Sequence, residues 1–190
     1  MKYCSNLFYV ALLASMLVSG CKKDTDDPKA DGLFTVELDN YTLGGGVLYN
    51  LGTNDWYNGS NFDLYLYSTG ISVDIYDNWS GSGTVVYFET FSSSSEDLAN
   101  GTYIYDAVSD PSPVFTFDYA QYCTNWTKSG PNEWVLLADG TLTALKSGGS
   151  YSLSISGEDE GGNTITGSFT GPLRKFDFIE KSAIDRKEKR

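Results

Sequence analysis

The sequence predicts an all-β domain, an antiparallel up-and-down meander closing into a barrel, with a β-sandwich as the alternative architecture. Three observations predict it. From Phe34 onward apolar and polar residues alternate at period two. Helical spacing is nearly absent over the same stretch. Turn-forming clusters of Gly, Asn, Asp and Ser recur at short intervals and divide the body into about eight to ten strands.

The segments follow in order. Phe34-Thr35-Val36-Glu37-Leu38 alternates cleanly. Gly44-Gly45-Gly46 sits between β-like residues and reads as a bulge or sharp strand bend, not a phosphate cradle. Phe62 to Tyr67 alternates, and the Thr69-Gly70 break leads to Ile71–Tyr76 as its expected hairpin partner. Gly81-Ser82-Gly83 reads as a turn before a strand from Thr84 to Phe91. Ser94 to Asn100 has the composition of a short helical turn. Thr102–Ala107 and Val114–Tyr122 flank Asp110-Pro111-Ser112-Pro113. Trp134, followed by Val135-Leu136-Leu137, is expected in the core. The last part is clearest. Thr141–Leu145, Tyr151–Ile155 and Thr164–Thr170 form three strands joined by Ser147-Gly148-Gly149 and by the acidic turn Glu158 to Asn163. Polar Thr and Ser on the second face fit strands wetted on one side.

The amino end is of another kind. Lys2 precedes an apolar run, Leu7 to Val18, of twelve residues. A spanning helix needs roughly 20, so the run fits the core of a signal peptide. It ends in Val18-Ser19-Gly20-Cys21, which resembles the lipobox of bacterial lipoprotein precursors. That resemblance implies cleavage after Gly20 and lipid on the Cys21 sulfur. Two or three acyl chains, at about 0.8 kcal/mol per buried methylene, hold a protein on a bilayer without a spanning segment. Lys22 to Gly32 is charged and aperiodic, a flexible tether. It is similar to the acidic export tract of Bacteroidetes-type surface lipoproteins, which implies the outer face of the outer membrane. The expected organisation is a signal peptide over 1–20, lipidated cysteine and tether over 21–32, a β domain over 33–179 and a charged tail over 180–190. That tail, with five basic and three acidic side chains, reads as frayed, or else as a basic docking segment.

Ala99-Asn100-Gly101-Thr102-Tyr103, Phe115-Thr116-Phe117-Asp118-Tyr119 and Thr164 to Leu173 resemble segments of a recurring group of Bacteroidetes-type lipoproteins whose barrels are lipocalin-like (calycin-like). The resemblance implies a lipocalin-like barrel and carries no shared catalytic motif.

Composition excludes much chemistry. The chain has no His, which removes His-based triads and His-ligated zinc or haem. Cys4 leaves with the signal and Cys21 takes the lipid, so Cys123 remains, expected as a small buried residue with no disulfide partner. A net charge of −12 disfavours nucleic acid and anionic membrane as direct ligands. Asp74, Asp77, Glu158, Asp159 and Glu160 read as solvated turn charges. The oxygen-rich stretches Glu158–Asn163 and Asn54–Asp63 read as turn chemistry before calcium loops. No cofactor or metal is expected.

The aromatics carry the functional expectation. Trp56-Tyr57, Trp79 and Trp126 stand in polar, loop-like contexts where a large ring has little reason to be. Such rings stack on sugar faces or grip a partner; otherwise they fold back to cap the barrel ends. Three functional readings follow. The first is a non-enzymatic surface module binding a glycan or small apolar ligand at the barrel mouth. The second is a structural or assembly component docking to an outer-membrane protein. The third is a two-carboxylate hydrolase.

Overall fold

The structure is a computed structural model that describes residues 30–53 and 55–178. The expected signal peptide, Cys21, most of the expected tether and the charged tail lie outside those residues.

Among the described residues eleven strands form the fold. They are β1 (Asp31–Val36), β2 (Asp39–Gly52), β3 (Ser60–Ser68), β4 (Ile71–Val73), β5 (Trp79–Ser92), β6 (Gly101–Tyr105), β7 (Thr116–Thr127), β8 (Val135–Ser147), β9 (Ser150–Asp159), β10 (Thr164–Gly171) and β11 (Arg174–Asp177). The barrel is closed and nine-stranded, mostly antiparallel and up-and-down, as predicted. Strands β1, β2, β3, β5, β7, β8, β9 and β10 pair in chain order, and β10 returns to β1. β6 wedges between β7 and β8, parallel to β7, where those two splay apart beyond Gln121–Leu136. Closure removes the free edges that an open sheet would expose. Past Pro172, β11 continues the course of β10 and pairs in parallel with Val47–Asn50 of β2, next to the stretch that β1 occupies.

Period two decides which residues fill the barrel. Leu48, Leu64 and Phe88 stand opposite one another, as do Leu142, Ile155 and Gly167. Leu48, Leu64, Phe88, Leu142 and Ile155 join Phe34, Tyr103, Phe117, Leu153 and Phe169 in one buried interior cluster. One end of the barrel is plugged. The segment from Phe91 to Gly101 folds across it, and it is not the expected helical turn. Ser92 Oγ donates to the Asp97 carbonyl at 2.8 Å and accepts from the Ala99 amide at 2.9 Å. These side-chain bonds replace helical ones. Asp97, itself buried, accepts from the Tyr151 hydroxyl and pairs with Lys146 and with Lys175, the latter at 2.5 Å. The plug is thereby tied to β8, β9 and β11.

Several expected elements differ. Leu38 is in the β1–β2 turn and 91% exposed, because Glu37 takes a left-handed φ of 53° and ends the strand. The Gly44 region is a bulge, as read, with a register shift between Leu43 and Gly45. Ile71–Tyr76 does not pair with Phe62–Tyr67; β3 pairs with β5, and the short β4 pairs with the start of β5. Gly81 and Gly83 bend β5 instead of forming a turn. At Gly81, φ is +90°, and a Cβ there would stand 2.1 Å from the Gly70 carbonyl oxygen. The bend lets the β4–β5 excursion fold over the outside of the barrel, where Val73 packs with Val47 and Tyr49.

Candidate functional site

Alternation that points Leu48, Leu64 and Phe88 inward points Val47, Tyr65 and Tyr87 outward. The outer face of the β2–β3–β5 wall is therefore aromatic. Two excursions cross it. One is the β4–β5 hairpin, which carries Asp77 and Trp79. The other is the β7–β8 loop, clipped by Asn132, whose amide oxygen accepts from the Thr127 N–H at 2.8 Å and whose amide nitrogen donates to the Thr127 carbonyl at 3.0 Å. That clip sets Trp126 and Trp134 at the two ends of a short loop. Between the excursions lies a cleft of about 460 Å³. Its walls include Tyr65, Trp79, Trp126, Trp134 and Phe178, and its carboxylates are Asp63 and Asp77.

Trp79 is the centre of the ring cluster. It meets Tyr65 at 5.6 Å and 67°, Tyr67 at 5.5 Å and 69°, and Trp126 at 5.7 Å and 60°. Its indole N–H is shared between the Tyr49 hydroxyl at 3.0 Å and Asp77 Oδ1 at 3.1 Å. The Tyr49 hydroxyl donates to the same Asp77 oxygen. Asp77 holds a left-handed φ of 64°, a conformation that Asp and Asn tolerate better than most residues.

The acids on this wall form a row. Asp63 stands directly across from Glu89, and Glu89 across from Tyr119, next to Asp118. Burial raises the Asp63 carboxyl to about 6; the Tyr87 hydroxyl, donating at 2.9 Å, opposes the shift, and the charges of Glu89 and Asp118 add to it. Burial, then the Glu89 charge, raises Asp118 to about 6 as well. Asn61, almost wholly buried, donates to Glu89 at 2.7 Å. Burial and these carboxylates push the Tyr65 and Tyr87 hydroxyls upward, so both stay protonated at neutral pH.

The structure therefore brings together two of the predicted aromatics, Trp79 and Trp126, and leaves two elsewhere. Trp56 is 74% exposed in the β2–β3 loop. Tyr57 lies on Phe91 at 5.0 Å. That loop is clasped to the β6–β7 loop, with Ser112 N–H donating to the Trp56 carbonyl at 3.1 Å and Asn58 N–H to the Ser112 carbonyl at 2.9 Å. Trp134 corrects its expectation: it precedes β8 and is half-buried in the cleft wall, not in the core. Asp77 is likewise no plain solvated turn charge. Tyr49, Tyr65, Asp63 and Phe178 were missed by the sequence reading. For Asp63 and Tyr65 the signal was the run Asp63-Leu64-Tyr65-Leu66-Tyr67, which carries rings on the face opposite its leucines; Tyr49 and Phe178 had none.

Cys123 is buried and free. In the acidic turn Asp159 is buried and held by hydrogen bonds, not solvated as expected, while Glu158 and Glu160 are exposed. Asp159 Oδ1 accepts from the Gly161 and Asn163 amides, each at 2.9 Å, and Oδ2 from the Tyr122 hydroxyl at 2.8 Å. Burial raises that carboxyl, but the Asn163, Tyr122 and Gly161 hydrogen bonds outweigh it and hold the group below its ordinary value.

No protein-family model matches the chain, and neither a curated protein nor a solved structure matches it.

Proposed function

We propose that this protein is a lipid-anchored outer-membrane surface module that binds a small ligand in the cleft on its outer wall. One observation carries the binding half. The interior is filled by side chains such as Phe88, Phe117 and Tyr103, whereas half-buried rings wall a concave cleft outside it. A concave, mostly apolar site with a few directed polar groups is the usual form of a small-ligand pocket. The binding place thus moves from the expected barrel mouth to the wall. Concavity also favours a small ligand over a flat protein partner.

The anchoring half rests on Val18-Ser19-Gly20-Cys21. The chain enters β1 at Asp31, on the plugged end, since Asp31 pairs with Thr170 beside the Gly171–Tyr151 pair. A tether from Cys21 would then hold the plugged end toward the membrane and leave the wall open to the medium. Fractionation tests the anchor: the Cys21→Ser variant is expected in the soluble fraction, and its recovery with membranes would remove the anchor assignment. Tryptophan fluorescence of the full chain, titrated with small-ligand panels, tests the binding. A saturable change that is lost in Trp126→Ala supports it; a change of equal size in that variant contradicts it.

A second reading, two-carboxylate hydrolysis, draws on Asp63 opposite Glu89. Directly opposed residues have Cβ atoms about 4.5–5.5 Å apart, which sets the two acids side by side on one face of the sheet, and paired carboxylates are what glycoside hydrolysis uses. Release of nitrophenol from aryl glycosides, abolished by Asp63→Asn, would favour it over simple binding.

A further inference from the structure

The cleft's rings do not make a platform. Tyr49 meets Tyr65 at 90°, Tyr65 meets Trp79 at 67°, and Trp79 meets Trp126 at 60°. Coplanar rings would offer a floor to a flat sugar face. Rings inclined at these angles instead bound one volume from several sides. An aromatic face carries negative quadrupole potential, so a box of faces attracts a cation.

The charges agree with the rings. The acidic side chains of the lining are Asp63 and Asp77, and no Lys or Arg lines the cleft among the described residues. Arg174 lines the neighbouring groove beside Gly44–Gly46 and donates to the Val73 carbonyl. An anionic ligand would meet uncompensated carboxylates. A wholly apolar ligand would strip water from them without replacing it. A neutral sugar would hydrogen-bond to these carboxylates but leave their charge unbalanced.

We infer that the cleft receives an alkylated ammonium group, held by the faces of Tyr65, Trp79 and Trp126 and balanced by Asp63 and Asp77. This rests on the cleft being the binding site. A volume of about 460 Å³ accommodates such a head group together with part of the molecule that bears it.

The test uses the full chain carrying Cys21→Ser, with tryptophan fluorescence at neutral pH and low salt. Three probes are titrated: choline, its neutral isostere with carbon in place of the quaternary nitrogen, and glucose. Choline is expected to give a saturable change and the isostere to bind about tenfold or more weakly, the ratio that about 1.4 kcal/mol of charge recognition produces. In Asp77→Asn, choline binding should weaken about tenfold while the isostere is unaffected. Asn is tolerated at that left-handed φ, and unchanged near-UV circular dichroism confirms the fold. Asp63→Asn, which keeps an acceptor for Tyr87, provides the second variant. Equal binding of choline and isostere overturns the charge assignment but leaves the cleft as a binding site. Saturation by glucose alone overturns it in favour of a neutral glycan. No response to any probe overturns the ammonium assignment; binding of other ligands that still depends on Trp126 would then preserve the cleft.

Discussion

Two walls of one barrel differ in what they show the solvent. On β8, β9 and β10 the outward residues are mostly polar: Thr143 stands opposite Ser154, and Ser154 opposite Ser168. Their inward neighbours Ala144, Leu153 and Phe169 are buried. On β2, β3 and β5 the inward residues are equally apolar, but the outward ones are Val47, Tyr65 and Tyr87. Both walls close the barrel. Only one points large apolar residues outward. Val47 and Tyr49 there pack with Val73 as a second buried cluster under the β4–β5 excursion, while the half-buried rings Tyr65, Trp79 and Trp126 line the cleft that the two excursions shape.

The comparison breaks if the aromatic wall proves to be scaffold. Leu153→Ala, on the inner face of the polar wall, is expected to cost about 2–5 kcal/mol in denaturant unfolding, through lost burial and the cavity left behind. The next effect separates the walls by charge. Asp63, raised to about 6 from 3.8 by burial, takes up protons in the folded state that the unfolded chain has already released. The folded state thus binds more protons between about pH 4 and 6, so stability rises as pH falls through that window. Asp118 acts in the same direction. Below about pH 4 the trend reverses, because Asp159 is held below its ordinary value and loses its hydrogen-bonded anion. Asp63→Asn should raise stability at neutral pH by about 1–2 kcal/mol and flatten the rise, as seen in melting temperature against pH. The smallest expected change in stability is that of Trp126→Ala, less than about 1 kcal/mol. Its binding loss should be the largest of the set. A Trp126→Ala cost equal to that of Leu153→Ala would make the wall a second core.

The same contrast explains what the sequence revealed. Where one face is buried and the other wet, as in Thr141–Leu145, Tyr151–Ile155 and Thr164–Thr170, alternation reads directly, and those strands are where the spacing placed them, longer at their ends. Where both faces are apolar the pattern loses its meaning. Phe62–Tyr67 alternates, but beyond Asp63 its outward residues are the rings Tyr65 and Tyr67, and the nearby Thr69-Gly70 break pointed to a local hairpin. The actual partner, β5, is fixed by core packing beyond the β4 excursion, which no local signal reports. Trp79 and Trp126 were legible as rings in polar surroundings. Trp134 was not, because the Val135-Leu136-Leu137 that follows it looks like core. Phe178 reaches the cleft only because β11 lies against β2, a parallel pairing of distant segments. Trp56 had the same polar context as Trp79 and a different fate, since its loop is clasped to the β6–β7 loop, away from the cleft.

The chain has four tryptophans, so indole N–H resonances in a heteronuclear NMR titration with choline give the most direct test of where binding occurs. The signals of Trp79, Trp126 and Trp134 are expected to shift together and saturate, while that of Trp56 stays in place. A shift confined to Trp56, or one in the resonances of the barrel interior with the three cleft indoles unmoved, would contradict the outer wall as the binding site.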